Sequence, residues 1–232
     1  MKRVTRSLAL FLCLALMLSA CGGTSNPQSG SLTAGSTASA ALSGSSSSTA
    51  STGVAAKTDP NSIVGGFNTE PGKLDPQANG IIHGMMIEKQ IYDPLITKDP
   101  ATGEFVGRLA TEWEWVDDTH LSLTLREGVK WHDGSDFTAA DVLFTLSRFP
   151  DGASTGSLYT AFDPENSTSD GDYQVTIAFK NAFAPALNFL TNPRAFIVSK
   201  AYCEANGEEI LNREPMGTGA YVFEEWLVGT SV

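Results

Sequence analysis

Histidine and cysteine are scarce: the 232 residues hold three of each. That leaves little from which to build a metal centre or a nucleophile–base pair. No Gly-x-Ser-x-Gly elbow is recognised, and no His-Glu-x-x-His, P-loop or dinucleotide-binding glycine fingerprint. A secreted hydrolase is therefore disfavoured, and no catalytic residue, metal ligand or cofactor is assigned. Basic residues are outnumbered, 15 to 26, for a net charge of −11. A surface this acidic argues against nucleic acid and anionic lipid as partners. Long apolar runs are missing too. The longest, Leu8–Leu18, has eleven residues, too few for a membrane-spanning helix, which needs about 20.

That short run reads as part of a leader. Lys2, Arg3 and Arg6 form a positive start, and Leu18-Ser19-Ala20-Cys21 follows the apolar stretch. The tetrapeptide resembles a bacterial lipobox. The resemblance implies cleavage before Cys21 and lipid attachment to its thiol. Removing residues 1–20 takes away three positive charges and no negative ones, leaving −14. Residues 22–56 are almost all Gly, Ser, Thr and Ala, with no charge before Lys57. They cannot bury enough apolar surface to offset chain entropy, so 21–58 is read as a tether. As a random coil of about 35 residues it would reach on the order of 30–35 Å. Such a tether suits a receptor held on the outer face of a membrane.

Without Cys13 and Cys21, Cys203 stands alone and no intrachain disulfide can form. It lies in a short helix-like stretch, Ser199–Asn206, beside Glu204, which favours a structural thiol over a nucleophile.

The globular part begins near Asp59. Ser62–Phe67 reads as a strand, Glu70-Pro71-Gly72 as a turn, and Gly84–Tyr92 as a helix. Thr111–Val116 and His120–Leu125 alternate polar and apolar residues around Asp117-Asp118-Thr119, which predicts a β-hairpin with Leu121, Leu123 and Leu125 on one face. Trp131-His132-Asp133-Gly134 is a further turn. Thr138 with Asp141 is a capping box that opens a helix over 139–149. Residues 151–172 read as a long polar loop, 173–179 as a strand, 185–190 as a short helix and 220–226 as a last strand. Gly217-Thr218-Gly219 precedes a strand, so it reads as a backbone turn rather than a phosphate cradle. The class is α+β, mixed, with strands often consecutive and no internal repeat.

The order of these motifs resembles the extracellular solute-binding proteins of ABC importers, family 5, the oligopeptide- and dipeptide-binding group. Leu109–Glu114, Leu125–Gly134 and Thr138–Val142 carry the resemblance. Leu74-Asp75-Pro76, Ile91–Leu95 and Met216–Tyr221 with Trp226 extend it. Pro94 stands where Gly is usual in the family, and Ala220 where Pro is usual. The resemblance implies the N-terminal lobe of a class II (cluster C type) periplasmic-binding-protein-like fold. It places a small inserted subdomain at about 95–196 within residues 59–232. The family's second lobe is absent from this chain, which is read either as a fragment or as the product of a truncated gene.

The implied function is capture rather than chemistry. A lipid-anchored monomer binds oligo- or dipeptides at the extracellular face of the cell membrane (periplasmic in a Gram-negative host) and delivers them to permease subunits. Other solutes used by relatives, namely nickel chelates, haem and sugars, are alternatives, as is a surface or adhesion lipoprotein that transports nothing. Ile82, His83, Gly84 and Met85 match family positions that approach the ligand. His83 reads either as a ligand or metal-chelate contact or as a polar group near a helix start. His132 with Asp133, Asp136 and Asp141 reads as turn and cap chemistry, and His120 as a solvated hairpin residue. Trp113, Trp115, Trp131 and Trp226 read as packing rather than as a sugar platform. The anchor has a direct test. Cys21→Ser is expected to release the protein from membranes or block its processing, as read by fractionation and gel mobility. Unchanged behaviour excludes the lipid.

Overall fold

A computed structural model describes residues 63–232. The leader, Cys21 and the tether lie outside the described residues. In chain order the elements are α1 (Ile82–Ile91), β1 (Ile96–Lys98), β2 (Phe105–Gly107), β3 (Ala110–Asp117), β4 (His120–Leu125), α2 (Ala139–Ser147), β5 (Phe162–Ser169), β6 (Gln174–Phe179), α3 (Ala186–Leu190) and α4 (Lys200–Asn206). Turns of 3₁₀ helix occupy Pro193–Ala195 and Glu208–Asn212.

The alternation of β4 dictates the main sheet. Its leucines are buried while Ser122 and Thr124 are only partly covered. β4 pairs antiparallel with β3 on one side and β6 on the other, in the order β3-β4-β6-β5. Trp113 lies opposite Leu123 and Trp115 opposite Leu121, which puts both indoles on the leucine face. The two-residue turn Asp118-Thr119 works as expected. Asp117 accepts from the Thr119 N–H at 2.7 Å and from its hydroxyl at 2.9 Å. His120 Nδ1 lies 2.9 Å from the same carboxylate. The His120 contact and those from Thr119 draw the Asp117 carboxyl down to about 2.

The helix after the hairpin starts where the capping box puts it. Asp141 Oδ2 accepts from the Thr138 N–H at 2.9 Å. Its other oxygen accepts from the Lys200 N–H at 2.9 Å, so one carboxylate starts α2 and holds the start of α4. α2 packs on β5 and β6. Val142, Leu146, Phe137 and Trp131 join the sheet leucines, Val175, Ile177, Phe179 and Phe162 in the larger core. Tyr159 packs against Phe149 within that core, with ring centres 4.3 Å apart and the planes tilted by 43°. A smaller cluster packs Ile91, Tyr92, Phe196, Val198, Cys203 and Leu211.

Three expectations need correction. Ser62–Phe67 forms no strand in its described part. Ile63 and Val64 are 87 and 82% exposed, and among the described residues no strand pairs with them. Residues 220–226 form no strand either. Tyr221 N–H goes to Gln90 O at 3.0 Å, and the following stretch has only an isolated bridge, Leu227 with Ser231. The loop expected over 151–172 hides β5. That strand is polar, lies at the sheet edge, and is interrupted between Asp163 and Thr168, where Pro164 falls. At the interruption the Ser167 hydroxyl takes the place of a backbone acceptor for Ala178 N–H, at 3.0 Å. The hairpin β1–β2 was not anticipated. Its Gly107 is forced, because a Cβ there would sit 2.3 Å from Ala110 O.

The core carries a clear prediction. Leu123 is fully buried at the sheet centre, whereas Val116 on the edge strand is 63% exposed. Leu123→Ala should lower the unfolding free energy by about 3 kcal/mol, and Val116→Ala by less than about 0.5 kcal/mol. Urea titration of both variants measures the difference.

Candidate ligand-binding site

The segment expected to face a ligand sits on a polar foundation laid by Leu74-Asp75-Pro76. Asp75 Oδ1 accepts from the Gln77 N–H at 3.0 Å, and Pro76 fixes the turn between them. The carboxylate is buried, and its counter-charge is Arg148 at the C-terminal end of α2. Their side chains are 4 and 8% exposed, with Arg148 Nη2 2.6 Å from Asp75 Oδ2. Arg148 also donates from Nε to Glu208 at 2.8 Å and from Nη1 to Gln77 Oε1. Burial works against the guanidinium charge, but Asp75 and Glu208 outweigh it and hold the proton. Gln77 then spends its amide N–H groups on the carbonyls of Arg194 and Phe196, at 3.0 and 3.1 Å. The loop is thereby tied to three elements at once.

From this foundation the chain turns into α1. Ile81 occupies its N-cap and offers no side-chain cap. Asn79 supplies one from outside, accepting the Ile81 N–H at 2.8 Å and donating to Glu88 Oε1 at 2.6 Å. The face of α1 that packs inward is Gly84, Glu88 and Ile91. Gly84 cannot be larger, since a Cβ would meet Asn79 Nδ2 at 2.1 Å and Pro71 O at 2.7 Å. Glu88 is fully buried and its Oε2 has no partner. Burial, reinforced by Asp75, raises its carboxyl to about 7 against the bond from Asn79.

The opposite face of α1 is bare. Ile82 is 67% and Met86 50% exposed, one turn apart, with Ile81 beside them. Phe67, 45% exposed, meets the His83 ring edge-on at 5.5 Å, and Thr69 Oγ1 lies 2.7 Å from His83 Nδ1. Of the four candidates, Ile82 faces solvent, His83 and Met85 are half-buried, and Gly84 is buried against the loop. Asn79, Glu88 and Arg148 were missed, although an acidic residue in the stripe 84, 88, 91 is a legible signal for a buried carboxyl.

The remaining candidates are structural. His132 Nε2 lies 2.9 Å from Gly219 O, and its backbone N–H donates to Gly217 O at 3.0 Å. Gly217 and Gly219 press so closely on α1 that a Cβ would lie 1.9 Å and 2.6 Å from the carbonyls of Ile91 and Gln90. The Asp133 carboxylate takes the Ser135 N–H at 2.9 Å, and Gly134 turns with φ 88°. Trp131 is buried; Trp226 lies under the Arg213 guanidinium at 3.9 Å and donates to Glu70 at 3.0 Å. Beside them runs an open groove of about 520 Å³, lined in part by Arg213, Trp226, Glu224 and Glu225 and by none of residues 63–86. Burial pushes the Cys203 thiol up to about 12, so it is an inert packing group. One expectation needs correction, since Gly152-Ala153-Ser154-Thr155-Gly156 does spell the Gly-x-Ser-x-Gly string; but Ser154 Oγ donates to Gln77 O at 2.9 Å, no histidine is bonded to it, and no strand leads into it. Among the described residues no group of acidic, histidine and cysteine side chains is placed to hold a metal. No described helix is long and apolar enough to cross a membrane.

A buried carboxylate–guanidinium pair thus anchors a helix whose start is bare and apolar. The chain belongs to the bacterial extracellular solute-binding proteins, family 5, whose middle-region model matches residues 104–232. It is similar to the glutathione-binding protein GsiB of Escherichia coli, with 31% identity over 175 residues, covering 74% of this chain and 33% of that protein. Among solved structures it resembles a dipeptide-binding protein from Pseudoalteromonas sp. SM9913 in complex with Met-Leu, with a TM-score of 0.63, 30% identity, and coverage of 68% of this chain and 36% of that one. A periplasmic binding protein from Helicobacter pylori, DppA, associated with an ABC transporter and in complex with the peptide STSA, matches with a TM-score of 0.60 and 25% identity, over 68% of this chain and 35% of that one. The chain thus spans about a third of the length of the relatives it matches. Their fold is the mixed α/β periplasmic-binding-protein fold anticipated above.

The foundation is testable. Arg148→Met strands the buried Asp75 charge and should cost about 3–5 kcal/mol of stability in urea unfolding. Adding Asp75→Asn should recover part of that loss, giving a double-mutant coupling of more than about 1 kcal/mol.

Proposed function

We propose that this protein is the substrate-binding component of an ABC importer. It captures oligo- or dipeptides outside the cell and hands them to a membrane permease. In this reading residues 1–20 are removed, lipid on Cys21 anchors a monomer to the extracellular face of the membrane, and 21–58 form the tether. Residues 59–232 form the receptor part. The split of the apolar core supports a subdomain at about 95–196: the larger cluster falls between Leu95 and Met216, and the smaller joins Ile91 and Tyr92 to Phe196, Val198 and Leu211.

The observation that carries the reading is the bare apolar start of α1 in a chain of this family. Ile82, Met86 and Phe67 leave large side chains uncovered over an anchored loop, as a wall that receives varied side chains would. His83 stands among them, half-buried, with one ring nitrogen engaged by Thr69. The names of the relatives favour peptidic ligands, with glutathione and Met-Leu as examples. In this reading Ile82, His83 and Met85 supply side chains to the contact, and Gly84 contributes from beneath, by letting the start of α1 sit close on Asn79 and Pro71.

The test is a nuclear magnetic resonance titration of the chain with Met-Leu and with glutathione at millimolar concentration, where weak binding is visible. At least one peptide should shift amide signals of residues 67–86, and Ile82→Asp should weaken the effect about tenfold, the equivalent of about 1.4 kcal/mol. Shifts only with a nickel chelate, haem or a sugar would replace the peptide assignment. Shifts confined to other regions would remove α1 from the site.

A further inference from the structure

We infer that the Asn79–Glu88 hydrogen bond is a protonation-controlled latch that positions the start of α1, residues Ile82–Met85, for ligand capture. The inference rests on the proposed role of that segment. Its basis is the way α1 begins. Ile81 gives the helix no side-chain cap, and Asn79 holds this N-cap residue instead, accepting its N–H at 2.8 Å and donating to its carbonyl at 3.4 Å. Asn79 in turn is held from the far side by Glu88 Oε1 at 2.6 Å. Its amide nitrogen is wedged so tightly that nothing beyond glycine fits at position 84. A movement of the Glu88 carboxyl is therefore passed to Asn79 and on to the Ile81 N–H.

The Glu88 pocket suits a neutral carboxyl better than a charged one. Asn79 is the single hydrogen-bond donor to Glu88, and Oε2 has none. Asn79 and Asp75 face it from the loop, Arg194 from the 3₁₀ turn, and Tyr92 from the next turn of its own helix. The Tyr92 hydroxyl is buried without a partner as well. Ionisation places a second negative charge beside Asp75, and the donors left without partners nearby, the Tyr92 hydroxyl and Arg194 Nε, would have to move to meet it, so the pocket must rearrange or admit water. The sign follows from the two states. The unfolded carboxyl titrates at 4.5 and the folded one at about 7. The folded form thus holds its proton more tightly, and this contribution is complete below 4.5 and lost as pH rises to about 7. The start of α1 is firm in mild acid and looser in mild base.

The experiment follows the Glu88 carboxyl carbon and the amides of residues 79–87 by nuclear magnetic resonance from about pH 5.5 to about pH 8.5. It is run on the wild-type chain and on His83→Asn, which removes the imidazole of the segment. The carboxyl and the amides should share a midpoint near 7 in both proteins, and Glu88→Gln should hold the amides in their low-pH positions. With Met-Leu as the probe, wild-type affinity should fall about threefold or more between pH 6 and pH 8, and Glu88→Gln should remove that dependence. A carboxyl already ionised at the acid end, or amides that stay flat in His83→Asn, overturns the latch whatever the peptide does. If the amides titrate with Glu88 but no peptide perturbs residues 67–86, the latch stands as a coupling within α1 and its role in capture falls with the proposed site.

Discussion

The Arg148 guanidinium fixes the relation between the N-terminal loop and everything else described. A charge this deeply buried is tolerated only if its partners are placed to meet it. Asp75, Gln77 and Glu208 meet it from two segments more than a hundred residues apart in sequence. Because Asp75 must sit there, Pro76 and Gln77 turn where they do. Because Gln77 then reaches the carbonyls of Arg194 and Phe196, the loop is pressed on the chain that leaves the larger core. The position of α1 follows from that loop, and with it the position of the bare apolar face.

A second set of polar contacts joins the β-rich part to the C-terminal segment. Asp93 holds Arg108 at 2.5 Å and Thr218 at 3.1 Å, while its backbone carbonyl takes the Ile197 N–H at 3.2 Å. Both passes of the chain between the two apolar clusters are gathered at this one residue. His132 adds the turn after β4 by engaging Gly217 and Gly219, whose missing side chains let the segment lie on the end of α1. Apolar burial supplies most of the stability in each cluster. The orientation between the clusters depends on these few directional bonds, which tolerate far less displacement than packed methyl groups do.

What the sequence discloses follows from how local each signal is. The hairpin β3–β4, the capping box of α2 and β6 were legible because alternation and turn chemistry act between near neighbours. β5 was not, since its polar residues have no reason to extend until β6 offers a ladder. Residues 62–67 and 220–226 show the reverse: their patterns suit a strand, but no described neighbour pairs with them. For the candidate site, the motif Leu74-Asp75-Pro76 marked the right place while its meaning stayed hidden. Asp75 acts through Arg148, 73 residues away, and no spacing rule connects them. Glu88 was closer to legible, as a carboxyl in the inward stripe of a short helix.

The arrangement also answers how one surface can be firm and permissive together. Receptors for varied ligands need contacts that do not select strongly by shape, and exposed Ile, Met and Phe provide them. Such side chains cannot hold their own backbone in place, because they have no directional partners. The rigidity has to come from beneath. Here it comes from Asn79 capping the helix, Asp75 turning the loop and Arg148 binding both to the core, none of which touches the exposed face. The division of labour explains why the least conspicuous side of α1 carries a buried acid. Replacing Glu88 by an apolar residue would fill the same space, but it would take away the shorter of the two bonds that hold the Asn79 amide, leaving only the one to the Ile81 carbonyl at 3.4 Å.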